Sequence, residues 1–240
     1  MSDADLRAIE FEQRLEREKL AALVEFAYGA GHEINNPLAN IAARAQTLLE
    51  DEPNPERRRK LVAIRRQAMR AHEMIADLML FARPPQLEIA PADLRLIVRQ
   101  VAEEHQTLAG ERSVELACDV GDVPIAIQAD ATQLAVAVAA VVANAIEAVG
   151  RDGHVTIVTR EWIEGDARSA EVIVRDDGPG ISETVRRHLF DPFFSGREAG
   201  RGLGFGLSKC WRIVTDHGGS VVVNNVAGGG AEFTIALPQR

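Results

Sequence analysis

Apolar and small residues recur at Leu20, Val24, Ala27, Gly31, Ile34, Leu38, Ile41, Ala45 and Leu48, in alternating steps of four and three. That spacing is the seam of a coiled coil or helical bundle, and it predicts one long helix from about Asp3 to Leu49. Dense charge between Glu10 and Lys19 gives its first part the look of a coiled-coil stem. Asp51-Glu52-Pro53-Asn54-Pro55 breaks the pattern. Leu61, Ile64, Ala68, Ala71, Ile75, Leu78 and Ala82 resume it, so the opening of the chain reads as an antiparallel helical hairpin. Two helices bury little apolar surface alone, and pairing of two hairpins into a dimeric four-helix bundle is the economical arrangement. Pro84-Pro85 ends the second helix and opens a short linker, a candidate hinge.

Beyond the linker the texture changes to short strand-like runs alternating with helices, and the fold class expected for the whole chain is α+β multidomain. Helices are expected over about Ala92–Leu108, Thr132–Val149, Glu183–Leu189 and Gly206–His217. Strands are expected near Val114–Cys118, Ile125–Gln128, His154–Trp162 and Ala170–Arg175, with a closing hairpin of Val221–Asn224 and Glu232–Leu237 across Gly228 to Gly230. The domains follow as residues 1–83 for stem and hairpin, 84–91 for the linker and 92–240 for an α/β sandwich.

With 240 residues there is room for one large domain or two small ones, each able to bury a real core. A formal charge of −9 argues against nucleic acid as the main partner, although Arg57-Arg58-Arg59-Lys60 with Arg65-Arg66 makes the distribution uneven. That cluster is a solvated helix end or a docking edge for an acidic protein. Cys118 and Cys210 are far apart and lack metal-ligand spacing, so two buried, reduced cysteines in a cytoplasmic protein are expected. The uncharged apolar run around Leu134 to Ala143 is too short to cross a bilayer, and no membrane contact is expected of these residues.

Chemistry enters with Gly31-His32-Glu33-Ile34-Asn35-Asn36-Pro37-Leu38, a polar, proline-ended segment inside an otherwise regular seam. With Ile34 at a d position, His32, Glu33 and Asn36 fall at b, c and f, facing away from the seam, and His32 and Asn36 lie one turn apart. Pro37 removes the amide that would bond the Glu33 carbonyl, loosening the backbone beside the histidine. Alone, the segment fits either a functional face or a solvated one with a tolerated kink.

Asn144 sits in an alanine-rich, apolar helix, where its amide either packs with a satisfied partner or offers an oxygen to Mg²⁺, a hard octahedral ion. Asp176-Asp177-Gly178-Pro179-Gly180 is either a plain surface turn or a pocket rim at which a carboxylate accepts from an exocyclic amine such as adenine N6. Gly200-Arg201-Gly202-Leu203-Gly204-Phe205-Gly206-Leu207 opens a helix, and its backbone amides suit phosphate, though it is neither a dinucleotide fingerprint nor a P-loop. Phe190-Asp191-Pro192-Phe193-Phe194 upstream is either a lid or a plug over the core.

In this order the segments resemble a sensor histidine kinase of two-component systems. His32-Glu33 through Asn36-Pro37 is similar to the phosphoacceptor H box in its nitrogen-regulation form, Asn144 to the N box, Asp176 to Gly180 to the G1 box, Phe190 to Phe194 to the F box, and Gly202 to Gly206 to the G2 box. The resemblance implies a homodimeric phosphotransfer hairpin and a Bergerat-type sandwich that binds ATP and Mg²⁺. It implies a response-regulator receiver domain as phosphoryl acceptor, with His32, Glu33 and Asn36 in catalysis. ATP would contact Asn144, Asp176, Gly178, Gly180, Arg197, Arg201, Gly202, Gly204 and Gly206, with Asn144 also on the metal. Two departures stand out: Ala140 occupies a position where another asparagine is usual, and Arg197 replaces the usual lid lysine. Alternatives are a nucleotide-responsive binding module or phosphatase-dominant partner, and a GHKL-type ATPase of the gyrase superfamily, which would need a glutamate where Ala140 stands.

Overall fold

The computed structural model of the chain describes residues 29, 31, 33–82, 85–164, 167–191, 194 and 204–239. The expected stem therefore lies outside the described residues, as do His32, Pro84, Arg197, Arg201 and Gly202. The chain divides into two compact units, Met1–Pro85 and Gln86–Arg240.

In the first unit, residues 33–50 form helix α1 and Pro55–Ala82 helix α2. Asn54 starts α2, its Oδ1 accepting from the amides of Glu56 at 2.9 Å and Arg57 at 3.1 Å. Arg58 donates to the Leu49 carbonyl at 2.9 Å, satisfying an orphan acceptor at the end of α1, and Arg65 bonds Gln46 across the hairpin. Part of the basic cluster thus fastens the hairpin turn.

The expected seam splits in two. Gly31, Ala42, Ala45 and Leu49 are buried, as is Ala68 of α2, forming the contact inside the hairpin. Ile34, Ile41 and Leu48, spaced by seven, are 41%, 46% and 61% exposed, and Val62, Ile64 and Met69 of α2 are exposed as well. A single hairpin leaves this second stripe uncovered.

The second unit is built on a five-stranded sheet of β2 (Glu115–Asp119), β4 (His154–Glu164), β5 (Ala167–Asp176), β6 (Ser220–Asn225) and β7 (Ala231–Pro238), in the order β2-β4-β5-β7-β6. The β2–β4 pair is parallel and the others antiparallel. β1 (Ala90–Asp93) and β3 (Ala126–Ala129) form a separate antiparallel pair. Ala90 and Pro91, expected in the linker, pair with Ala129 and Gln128, so the fold takes up the chain earlier than its sequence suggests.

One face of the sheet carries α3 (Leu94–Glu111), α4 (Ala131–Val149) and α6 (Gly206–Asp216); a short α5 (Glu183–His188) follows β5. Ala231, Phe233, Ile235 and Leu237 of β7 are buried in strict alternation, in the same core as α4, whose Leu134, Val138, Val141, Val142 and Ile146 are fully buried. α4 is long and apolar enough, at 19 residues and a mean hydropathy of 1.7, to cross a membrane by length and composition. Its extent exceeds the apolar run read from the sequence, and it packs as the central core helix. Cys210 is buried as expected, whereas Cys118 is exposed: it shares a face with the buried Leu116, but β2 is an edge strand and Cys118 lies near its end. Burial pushes the Cys210 thiol up to about 12, which keeps it protonated and inert.

Candidate functional site

Asp176 is the last residue of β5, and the sheet delivers it to the domain's rim with its side chain only 6% exposed. Its Oδ1 accepts from the amides of Gly178 at 3.0 Å and Ala231 at 3.3 Å, while Oδ2 is buried with no hydrogen-bond partner. Desolvation pushes this carboxyl above its ordinary value, partly offset by the two amide donors. An unpaired acceptor is costly to bury, and an amine on a ligand would satisfy it.

The loop after Asp176 is shaped by close backbone approaches. A Cβ on Gly178 would lie 2.9 Å from Asp176 Oδ1 and 3.2 Å from the Ala148 carbonyl oxygen at the end of α4. Gly180 has a φ of +75° and would bring a Cβ within 3.0 Å of Asn225 Oδ1. Asn225 clamps the far side of the loop, accepting from the Ile181 amide and donating to the Ile181 carbonyl, both at 2.8 Å. On the near side His154 holds Asp177: its amide donates to Oδ1 and its ring Nδ1 bonds Oδ2, both at 2.9 Å.

Asn144 lies four residues before Ala148, on the face of α4 that meets this loop, and is half-buried. His217, just past α6, accepts from the Asp130 amide at 3.0 Å, so the end of α6 meets the start of α4. Running back from there, α6 begins at Gly206 beside the carboxy-terminal half of α4. The loop after Asp176 and the start of α6 thus both lie toward the stretch of α4 that carries Asn144. Gly204 has a φ of +71°, and a Cβ there would lie 2.0 Å from the Phe194 carbonyl oxygen, which brings the ends of the F-box and G2-box stretches together.

In the other unit, Glu33 and Asn36 are exposed on α1, as their heptad positions require. Among the described residues no group of three or more His, Cys, Asp or Glu side chains could hold a metal. The Asn144 amide oxygen, together with a ligand's own oxygens, is a donor set of the kind that a hard cation such as Mg²⁺ takes.

Sequence reasoning passed over Gly230, Ala231, Asn225 and His154. All four act on residues distant in sequence, and the hint along the chain is that Gly228 to Gly230 exceeds what a hairpin turn needs.

Comparison with known proteins bears on the family. The family description "Histidine kinase-, DNA gyrase B-, and HSP90-like ATPase" matches residues 129–240, and "His Kinase A (phospho-acceptor) domain" matches residues 22–86. The chain is 33% identical over 92% of its length to the sensor histidine kinase ZraS of Klebsiella oxytoca, covering 47% of that protein. It is 30% identical over 98% of its length to the signal transduction histidine-protein kinase AtoS of Escherichia coli K12, covering 38% of it. The chain spans about half, or less, of these curated relatives. Among solved structures, full-length ShkA in complex with AMPPNP superposes with a TM-score of 0.76 at 28% identity, over 89% of this chain and 45% of that one.

Proposed function

We propose, from the premise that the chain belongs to the sensor histidine kinases of two-component systems, that it transfers the γ-phosphoryl group of ATP to His32 and passes it to an aspartate of a response-regulator receiver domain. The observation that carries the reading is Asp176, with one carboxylate oxygen held by two backbone amides and the other buried without a partner. Such an oxygen accepts from the exocyclic amine of adenine, and Gly178 leaves room for the ring beside it. On this reading residues 1–83 are stem and phosphotransfer hairpin, the tether ends before Ala90, and β1 opens the ATP-binding domain.

Phosphoryl transfer asks for alignment and charge compensation more than covalent help. Backbone amides from Gly202 to Gly206 would take the phosphates, with Arg197 and Arg201 offsetting their charge. Mg²⁺, when held by Asn144 and the phosphates, would neutralise charge developing on the leaving oxygens. The unprotonated ring nitrogen of His32 attacks the γ-phosphorus, the bond to the β–γ bridging oxygen breaks, and ADP leaves. Glu33 takes the proton of the other ring nitrogen and so fixes which nitrogen is the nucleophile. Asn36, one turn on, would orient water against the regulator's acyl phosphate in the reverse sense. The exposed stripe of Ile34, Ile41 and Leu48 supports homodimerisation through the hairpin.

Ala140 favours a second reading in one respect. It stands one turn before Asn144 and offers no polar atom, so metal contacts are thinner and a phosphatase-dominant role gains ground. The same residue counts against a water-activating ATPase, which needs a general base there. Intact-mass measurement at neutral pH separates these. A chain incubated with Mg·ATP gains one phosphoryl group if the kinase reading holds; tight ATP binding with no mass gain overturns it.

A further inference from the structure

The loop carrying Asp176 and Gly178 is tethered at its near end by a residue that touches neither of the groups assigned to the nucleotide. His154 opens β4, and Asp177 is the first residue past β5. The His154 amide donates to Asp177 Oδ1 and the ring Nδ1 bonds Oδ2, each at 2.9 Å, while the Asp177 amide donates back to the His154 carbonyl at 3.2 Å. One residue thereby takes both oxygens of one carboxylate. The approach is close because position 153 is glycine: a Cβ there would fall 2.6 Å from Asp177 Oδ1. On its other side the ring reaches β2, with Nε2 3.3 Å from Glu115 Oε2.

We propose that His154 is a positioning residue for nucleotide binding, fixing Asp177 against the start of β4 so that Asp176 and Gly178 hold the geometry that receives the purine. This rests on the nucleotide reading of Asp176. An exposed ion pair contributes little to global stability, and His154 and Asp177 are 66% and 49% exposed. Loop geometry is a different quantity. Affinity scales with the fraction of chains whose loop is already competent, so a tether too weak to alter folding still alters binding.

The tether is strongest when the ring is charged. The charged groups facing it are Asp177 from the loop and Glu115 from β2, both acidic. The hydrogen bond to Asp177 holds the imidazole above its ordinary value, Glu115 adding to the effect. A raised value in the ordered loop means the ordering is fully present at low pH and fades as pH rises through that value. Neutral His154 keeps one N–H, enough for Asp177 but not for Glu115 as well.

The test is calorimetric titration of the full chain with Mg·ATP from about pH 6 to pH 8.5, the range in which histidine changes charge. His154→Ala should bind about fivefold more weakly than wild type at the acid end, as loss of one exposed but geometrically good pair allows, with the gap closing as pH rises. His154→Asn places an amide N–H where Nδ1 stood and should restore most of the affinity, without the pH-dependent part. Equal affinity of His154→Ala and wild type at every pH would overturn the proposal, as would one constant loss shared by both variants. Failure of the wild-type chain to bind at any pH would remove the nucleotide reading itself, and needs no variant to be recognised.

Discussion

Gly230 and Asp176 meet backbone to backbone: a Cβ on Gly230 would lie 1.8 Å from the Asp176 carbonyl oxygen, and Gly230 holds a φ of +90°. The contact seats the start of β7 against the end of β5 and delivers the Ala231 amide to Asp176 Oδ1. Gly230→Ala must therefore move one strand end or the other. We expect a loss of about 3 kcal/mol or more in denaturant unfolding, from a steric clash added to strained backbone, and loss of ATP binding with it.

Asp176→Asn separates binding from folding. The amide oxygen can still accept from Gly178 and Ala231, but a donor now occupies the place of the unpaired Oδ2 and repels an adenine amine. Because burial raises the Asp176 carboxyl, its contribution to stability is present below the ordinary carboxylate range and lost as pH rises through the raised value, so the ionised group weakens the apo fold at neutral pH. The variant should melt higher than wild type without nucleotide and show no shift in Tm when Mg·ATP is added.

Asp130 caps α4 by accepting from the Gln133 amide at 3.0 Å, and its other oxygen accepts from the Glu88 amide at 3.1 Å, fastening the segment that leaves the linker. Burial alone would raise this carboxyl, yet the bonds from Gln133 and Glu88 together hold it below its usual value. The contribution is thus complete above the ordinary carboxylate range and lost as pH falls through the depressed value. Asp130→Ala should cost about 1–2 kcal/mol of stability at neutral pH, the size of a lost cap, and much less in strong acid. Urea titrations at the two pH values check this.

The exposed stripe of the hairpin predicts its own variant. Ile41→Asp with Leu48→Asp places two charges where 46% and 61% of the side-chain surface is already open, so the hairpin itself is spared. Wild type should sediment as two chains and the double variant as one. A wild-type monomer at micromolar concentration would contradict the bundle.

Much of this was legible along the chain because it is periodic or local. The heptad steps marked both hairpin helices, and a hairpin across Gly228 to Gly230 placed the last strand at Glu232–Leu237, within one residue of each end of β7. Asp176, Gly178 and Gly180 were readable because one turn holds them together. What escaped was set by distant partners. β1, with sequence Ala-Pro-Ala-Asp, has no strand formers and exists because β3 pairs with it. Asn225 lies 44 residues from Ile181, and His154 lies 23 from Asp177. The single apolar seam of α1 gave no sign that alternate members face a neighbouring helix and open surface, since both faces are apolar.

Everything proposed for the ATP-binding domain serves the transfer of a phosphoryl group to His32. The most direct measurement incubates the full chain with γ-labelled ATP and Mg²⁺, then follows the label on wild type and His32→Ala. Wild type should carry label that is lost in acid and survives base, as a phosphorus–nitrogen bond requires, and His32→Ala should carry none. Equal labelling of His32→Ala, or label that survives acid, would contradict that transfer.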